Sequence, residues 1–269
     1  MKIVCGCLVE SVLKTKGFHI DTRLGGFHSD SLVIATGGIS IPKMGATGFG
    51  YQVASQFGLG VHQRQAALVP FVFEKSYLCH FEGLSGVSMD AMVSCGDVSF
   101  RENILVTHKG VSGPAILQIS SYWRQGDTVT IDLLPNVEIE SIIEARKEAN
   151  NRLEVKTVIA EFLPKRFVDR VFQLWLENKL LKQLTPKDVI AIGKFFHHWQ
   201  IQPVGTEGYR TAEVTLGGVD TDEISSKTFE ADKVSGLYFI GEVLDVTGWL
   251  GGYNLQWAWS SGFCAGQYV

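Results

Sequence analysis

Uninterrupted apolar runs mark two short segments of this chain, residues 32–35 and 237–240. Runs without alternating polar side chains are typical of parallel strands that are covered on both faces. The first run ends in a Thr-Gly-Gly sequence at residues 36–38, and the second ends at Gly241. Glycines at the carboxyl end of a strand let a ligand approach the backbone, and nucleotides bind at this edge of open α/β sheets. The pattern therefore predicts a parallel sheet with a cofactor site at one edge.

Shorter periodicities predict the elements before and after the first run. Residues 2–35 have the pattern of short strands with turns at residues 16–17 and 25–26. Thr47 is predicted to cap a short helix that ends at Gly58, because threonine caps helix starts and glycine terminates helices.

The middle of the chain changes from strand to helix periodicity. Residues 68–134 have a mainly extended pattern, in which residues 84–95 and 98–106 are candidate paired strands. Pro114 predicts the start of a short helix, since a proline in the first turn needs no N–H donor. Residues 138–196 then show helical periodicity.

Start signals divide this helical stretch. Pro164 precedes a helix with an apolar stripe of five side chains, Phe167, Val168, Val171, Phe172 and Trp175. Thr185 begins the next helix. Strand character returns at residues 199–204 and 211–216.

The last segment begins with an acidic turn at Glu242 and Asp245 and continues into an apolar stretch from Gly251 to Tyr268. Paired glycines at a helix start leave backbone N–H groups unblocked, where the dipole favours electron-rich or anionic atoms. Polar residues within the stretch predict a buried amphiphilic helix rather than a membrane span. The small residues Ala258, Gly262 and Gly266 predict close packing of this helix on a sheet.

Composition narrows the classes of protein and partner. The 269 residues are 45% apolar, with a net charge of −4 and interspersed acids and bases. We therefore expect a folded chain with neither nucleic acid nor a membrane as partner. Five irregularly spaced cysteines, and a β-like start at Met1 in place of a signal peptide, predict a cytoplasmic location.

Histidine offers the main candidate for proton chemistry. His108 lies in a Thr-His-Lys-Gly turn, and an imidazole exchanges protons near neutral pH; the alternative is a hydrogen-bonding structural role. His197 and His198 are adjacent, so their side chains diverge and predict packing and surface positions. No metal-ligand spacing, nucleophile elbow or P-loop occurs in the sequence, which disfavours zinc, hydrolase and NTPase functions.

Four motifs together resemble the YhiN/BaiN-type bacterial flavoproteins, which are NAD(P)/FAD-dependent oxidoreductases. They are the Ala-Thr-Gly-Gly sequence at 35–38, the glycine-rich segment 42–51, the segment 107–117, and the closing segment 241–254. The resemblance runs from end to end of the chain. It implies bound FAD, a reduced nicotinamide nucleotide as possible reductant, and a small-molecule substrate.

The resemblance also implies roles for individual positions. Main-chain groups of Asn254 and Leu255 are expected at the flavin pyrimidine edge, and Glu242 and Asp245 near the ribityl and pyrophosphate groups; loop capping is the alternative for these two acids. Val9 matches a position beside the adenine. The expected cofactor-binding residues are Val9, Ala35, Thr36, Gly37, Gly38, Gly45, Gly48, Gly241, Glu242, Asp245, Gly251, Gly252, Tyr253, Asn254 and Leu255, with His108 as the candidate catalytic residue and no metal ligand.

One family feature is missing from these residues. Flavoproteins of this type open with a βαβ unit whose G-x-G-x-x-G turn holds the FAD pyrophosphate, and no such sequence occurs here. We therefore expect an N-terminally shortened member. Its alternatives are a truncated, cofactor-free and inactive fragment, or a chain whose missing unit is supplied by another chain.

The expected fold is α/β: an incomplete Rossmann-like FAD-binding domain split by an inserted β-rich domain with a helical subdomain. The predicted boundaries are 1–66 and 206–269 for the FAD-binding domain, and 67–205 for the insertion, with the helical part at 137–197. The expected function is FAD-dependent, NAD(P)H-linked reduction of a small organic acceptor.

Overall fold

The computed structural model describes residues 2–149 and 152–269. The predicted start at Met1 and the helical prediction at Asn150 and Asn151 lie outside the described residues. The chain divides into two compact units. The first contains Met1–Ala66 and Glu213–Val269, and the second contains Ala67–Ala212.

The first unit opens with a three-stranded antiparallel meander, in the order β1 (Val9–Lys14), β2 (Phe18–Thr22) and β3 (Gly25–Ser29). The predicted turn at residues 16–17 is confirmed, whereas Gly25 and Gly26 lie within β3. The second turn comes earlier because the Thr22 hydroxyl accepts a hydrogen bond from Leu24 N–H and donates one to the Gly25 carbonyl.

Two parallel strands follow the predicted apolar runs. β4 (Leu32–Ile34) pairs with β14 (Leu237–Phe239), and Leu32 lies opposite Leu237. β14 is fully buried, whereas β4 is buried only at Ile34. The parallel pairing is therefore confirmed, and burial on both faces holds for β14 alone. A further pair joins β5 (Gln65–Ala67) and β13 (Val214–Leu216).

Helix α1 covers Phe49–Gln56 and packs on these strands. Its N-cap is Gly48 rather than the predicted Thr47, whose hydroxyl accepts a 3.4 Å hydrogen bond from Phe49 N–H. Gly58 follows the helix with a φ of +77°, as predicted for a stop residue. A Cβ at Gly50 would lie 2.2 Å from Thr36 Oγ1, so α1 approaches the end of β4 closely.

The closing helix α8, Tyr253–Ala265, is exposed along most of its length. Only Ser261 and Ala265 are buried, while Trp259 is 79% and Phe263 72% exposed. The prediction of a buried helix is wrong, because spacing of four residues places these aromatic side chains on the solvent side. The small-residue prediction holds for Ala258, against Gly241, and Gly262, against Ile240. Gly266 is exposed.

The second unit contains, among its described residues, a seven-stranded antiparallel sheet in the order β11-β10-β7-β8-β9-β6-β12. These strands are β6 (Phe71–Val72), β7 (Ser88–Cys95), β8 (Val98–Val106), β9 (Gly110–Ser112), β10 (Val129–Asp132), β11 (Trp199–Ile201) and β12 (Gly205–Thr206). The predicted pairing of β7 with β8 is confirmed. β7 starts four residues later than predicted, because Gly83 and Gly86 take positive φ values in the preceding turns.

Helices surround this sheet. They are α2 (Lys75–Leu78), α3 (Pro114–Ser120), α4 (Ile139–Glu148), α5 (Val155–Ile159), α6 (Lys165–Leu174) and α7 (Pro186–His197). The predicted stripe is buried on α6 at Phe167, Val168, Val171 and Phe172. Trp175, its fifth predicted member, follows the helix as the C-cap and is half-buried. Thr185 caps α7 through reciprocal hydrogen bonds with Asp188. The fold is mixed α/β, and no described helix is long and apolar enough to span a membrane.

Candidate functional site

The carboxyl ends of β4 and β14 meet at one edge of the first unit, as their parallel pairing requires. The chain leaves β14 at Gly241, with a φ of +75°, and enters a short 3₁₀ turn that carries Glu242. Glu242 Oε2 accepts a hydrogen bond from Gly38 N–H at 3.2 Å, and its Oε1 accepts one from Thr215 N–H at 2.7 Å. One carboxylate thus joins three chain segments at this edge.

Thr215 belongs to the same network and was not predicted. It is buried in β13, and its hydroxyl accepts a hydrogen bond from Ile39 N–H at 2.9 Å and lies 3.1 Å from Ser40 Oγ. A threonine in an otherwise apolar strand that runs into Gly217 and Gly218 was the available signal.

The start of α8 combines glycine geometry with unpaired donors. Gly251 and Gly252 have φ values of +115° and +90°, which glycine adopts without strain. Gly252 is the N-cap and provides no side chain, and the first turn contains no acidic residue. Within the described residues, the N–H groups of Asn254 and Leu255 donate to no acceptor. These donors therefore remain available at the positive end of the helix dipole.

The side chain of Asn254 has a different, structural role. Its Oδ1 accepts from Gly248 N–H at 2.7 Å, and its Nδ2 donates to the Gly248 carbonyl at 2.9 Å. This pair of bonds fixes the loop before α8 against the helix. The same residue thus stabilises the helix start through its side chain and leaves its main-chain N–H free.

Three predicted glycines differ in the space around them. A Cβ at Gly38 would lie 2.6 Å from Thr215 Oγ1 and 2.9 Å from Glu242 Cδ, so internal packing requires this glycine. Gly45 has a φ of +96°, which explains its identity. Gly48 has a φ of −81°, and a Cβ there would meet no atom within 4 Å. Neither backbone nor internal packing requires Gly48, which leaves room for a group approaching from outside.

The remaining predicted cofactor-binding residues of this unit are spread over several loops and strand ends. Ala35 and Thr36 are exposed just beyond β4, Gly37 follows with a φ of +69°, and Val9 is the first residue of β1. Asp245 binds Val219 through its main-chain N–H. Tyr253 and Leu255 are 63% and 70% exposed. Glu242 thus binds Gly38 directly, whereas within the described part of the chain neither Val9 nor Asp245 forms a hydrogen bond to another predicted position.

His108 belongs to the second unit, in the turn between β8 and β9. The Thr107 hydroxyl accepts from the N–H groups of Lys109 and Gly110 and holds this turn, and Lys109 forms a 2.8 Å ion pair with Glu207. The His108 ring is exposed and forms no hydrogen bond to a described residue. A structural hydrogen-bonding role for this imidazole is therefore not supported.

His197, which together with His198 was predicted to occupy packing and surface positions, is half-buried and forms a polar contact. Its Nδ1 lies 2.9 Å from Asp132 Oδ1, and its Nε2 lies 3.8 Å from Glu140 Oε2. The last residue of α7 is thereby tied to β10 and α4. His198 is exposed, as predicted.

A family model described as the HI0933-like protein barrel and H2TH domain matches residues 65–214. The chain belongs to the HI0933-like family. This HI0933-like chain is 51% identical, over 96% of its length, to a ribosomal RNA dihydrouridine synthase of Escherichia coli (strain K12). It is 50% identical, over 87% of its length, to a protein of the same name from Haemophilus influenzae. It is 32% identical, over 99% of its length, to a 3-dehydro-bile acid delta(4,6)-reductase of Clostridium scindens.

The matched regions differ in how much of each relative they include. The HI0933-like chain spans 66% of the Escherichia coli protein, 59% of the Haemophilus influenzae protein and 69% of the Clostridium scindens protein. The activities in these names belong to proteins longer than the present chain.

Proposed function

We propose that this HI0933-like protein is a flavin-dependent reductase whose FAD site lies in the first unit. The proposal rests on the edge of the first unit where β4 and β14 end. Glycines follow both strands, and Glu242 joins the two ends by its hydrogen bond to Gly38. Helix α8 begins at the same edge with free N–H groups. The resemblance to YhiN/BaiN-type flavoproteins and the reductase named among the relatives support it.

The residues present fit a flavin. A flavin needs close backbone approach and donors toward its electron-rich edge, and Gly48 leaves open space while Asn254 and Leu255 offer main-chain N–H groups. Bound FAD would supply hydride transfer between a nicotinamide nucleotide and an acceptor. The N–H groups of Asn254 and Leu255 would stabilise negative charge on the flavin. Glu242 holds Gly38 in place through its hydrogen bond.

The names of the relatives suggest one class of acceptor. Conversion of uridine to dihydrouridine, and reduction of the delta(4,6) diene of a 3-dehydro bile acid, both saturate a carbon–carbon double bond conjugated to a carbonyl group. We propose the same chemistry here. Two relatives at 50% and 51% identity favour a uridine in ribosomal RNA as the acceptor. The expectation of a small organic acceptor without nucleic acid is the second candidate, and the 32% identical reductase favours it.

Saturation of such a bond also requires a proton. The hydride adds to the carbon remote from the carbonyl group, and a proton adds to the carbon beside it. We assign this proton to an imidazole N–H of His108, whose ring is exposed and unengaged within the described residues. An imidazole is suited to this transfer near neutral pH.

We also propose the finer architecture. The first unit corresponds to a Rossmann-like FAD-binding domain split by the second unit, with domain boundaries near 1–66, 67–205 and 206–269. The division of the chain at Ala66 and Glu213 supports this assignment.

The first test is cofactor retention. The purified chain is mixed with FAD, freed of unbound cofactor and measured by visible absorption. We expect stoichiometric flavin, and bleaching by NADH or NADPH without oxygen. A folded but colourless protein contradicts the proposal.

The second test separates the acceptors. Ribosomal RNA lacking dihydrouridine and a 3-keto-4,6-diene steroid are each incubated with flavin-loaded protein and reductant, and the dihydro products are measured by mass spectrometry. Product from RNA alone supports the first candidate, and product from the steroid alone supports the second.

A further inference from the structure

An open groove in the second unit is lined by amide and aromatic side chains. Its volume is about 840 Å³, within the range of about 300–1,000 Å³ that is usual for ligand sites. The floor is formed by β11 and the residues after it, one wall by α2 and the turn that follows, and the other wall by residues 125–128.

The floor presents primary amides. Gln200 and Gln202 point to the same side of an extended segment, while Trp199 and Ile201 alternate with them and are buried. Gln202 Nε2 donates to Thr128 Oγ1 at 3.2 Å, which leaves its carbonyl oxygen available. Within the described residues, the Gln200 side chain has no hydrogen-bond partner. β11 is also the outermost strand in the order of its sheet.

Gln125 adds a third amide from the facing wall. It is exposed in the turn before β10 and has no side-chain partner within the described residues. A primary amide offers a donor and an acceptor side by side. Amides on the floor and on one wall therefore provide several such pairs around the groove.

The α2 wall is aromatic. The Tyr77 and His80 rings meet edge to face at 5.2 Å, and His80 is backed by Trp175 at 5.4 Å. His80 Nδ1 is buried and lacks a hydrogen-bond partner within the described residues. This wall therefore presents ring surface to the groove, whereas the buried Nδ1 faces away from it.

The groove is nearly uncharged. Among the described residues that line it, Glu74 is the one ionisable acid or base apart from His80 and Tyr77. A neutral polar groove suits a neutral planar group with its own donor and acceptor edge better than it suits a free anion. The N3–H of uracil between two carbonyl groups is such an edge, and the rings of Tyr77 and His80 suit its apolar face.

We propose that this groove binds a uracil-type base of single-stranded RNA through the amides of Gln200, Gln202 and Gln125. The inference rests on the proposed reduction of uridine in ribosomal RNA and assigns a part of the chain to holding that RNA. Base binding at this site requires neither flavin nor reductant, so the two proposals are tested separately.

The test is equilibrium binding of a fluorescently labelled oligouridine to the full chain without flavin, followed by anisotropy. We expect saturable binding that weakens about tenfold or more in the Gln200→Ala/Gln202→Ala double variant, since two hydrogen bonds are lost. An oligomer of N3-methyluridine, which lacks the donor of the base edge, should bind as weakly to the wild type.

The control variant is Asn103→Ala/Asn136→Ala. These amides line another cavity of the same unit, of about 660 Å³, and their removal should leave oligouridine binding unchanged. Circular dichroism checks that each variant is folded.

Three results overturn the inference: no binding of oligouridine, equal binding of the methylated oligomer, or equal loss in the control variant. Failure of flavin retention with intact amide-dependent RNA binding refutes the proposed reductase and leaves the groove assignment standing. RNA reduction with unchanged binding in the glutamine variant refutes the groove alone.

Discussion

The Glu242 carboxylate accepts a 3.2 Å hydrogen bond from the N–H of Gly38, a residue 204 positions earlier in the chain. The same carboxylate binds Thr215 N–H. Glu242 was expected near the ribityl and pyrophosphate groups of a cofactor, with loop capping as the alternative. The observed hydrogen bonds to backbone N–H groups are those of a loop cap, and they hold the backbone of the proposed flavin site in place.

Replacement of Glu242 by glutamine tests this role. The amide keeps the size of the side chain but presents an NH₂ group to one of the two backbone donors, so one hydrogen bond is lost and a donor is left unsatisfied. We expect the free energy of unfolding to fall by about 1–3 kcal/mol, measured by chemical denaturation.

The matched control for this variant is Glu213→Gln. Glu213 is exposed in the same unit and forms no hydrogen bond or ion pair with a described residue. Its replacement should leave stability within about 0.5 kcal/mol of the wild type. Equal stability of the two variants would show that the Glu242 network is unimportant for folding.

Two glycine substitutions separate packing from ligand approach. Gly38→Ala places a methyl group against Thr215 and Glu242 and should destabilise the fold by about 1–3 kcal/mol. Gly48→Ala meets open space and should change stability by less than about 1 kcal/mol. We expect Gly48→Ala nevertheless to weaken FAD binding, measured by fluorescence titration. Unchanged FAD affinity would remove Gly48 from the site.

The side chain of Asn254 should stabilise the loop before α8. Asn254→Ala removes both hydrogen bonds to Gly248, and we expect a loss of about 1–3 kcal/mol. Hydrogen exchange should show faster exchange of the Gly248 amide. Gln256→Ala is the control, because its bond to Ser260 is exposed on the same helix. Equally fast Gly248 exchange in the control would contradict this assignment.

The cap of α7 predicts a pH dependence of stability. Hydrogen bonds from the backbone N–H and the hydroxyl of Thr185, together with Lys179, lower the pKa of Asp188 to about 2. Because the folded pKa lies below the unfolded value, this contribution is present above about pH 4 and is lost as the pH falls through about 2. Asp188→Asn should therefore flatten the slope of unfolding free energy between these pH values.

Variants of Thr185 provide the check on that slope. Thr185→Ala removes the hydroxyl and should raise the pKa of Asp188, whereas Thr185→Ser keeps the bond and should behave as the wild type. Carboxyl NMR titration measures the change directly. The same Asp188 pKa in both variants would contradict the capping explanation.

Sequence patterns over a few residues predicted the strands, hairpins and helix caps that depend on interactions between residues close in the chain. The parallel strands followed from two apolar runs, the hairpin of β7 and β8 from paired extended segments, and the cap of α7 from a threonine before a proline. The predicted ends of strands were less accurate where a side-chain hydrogen bond or a glycine formed the turn, as at Thr22 and Gly86.

The glycines of the candidate site were predicted from the sequence, but some of the side chains that hold the site together were not. Gly37, Gly241, Gly251 and Gly252 are visible in the sequence because their positive φ values favour glycine. Gly38 is visible because a side chain there would meet Thr215 and Glu242. Thr215 was missed, since its role depends on contact with Ile39, a residue 176 positions away. Such a contact leaves no periodic signal in the chain.

The sequence by itself determined the mixed α/β character, the two strand ends and the glycine-opened helix, because apolar periodicity and backbone geometry act over a few residues. The tertiary structure decided that Glu242 joins Gly38 to Thr215, and that α8 exposes Trp259 and Phe263. These outcomes depend on which distant segments pack together. Hydrophobicity identifies a side chain that can be buried, and only the packing of its neighbours determines whether it is.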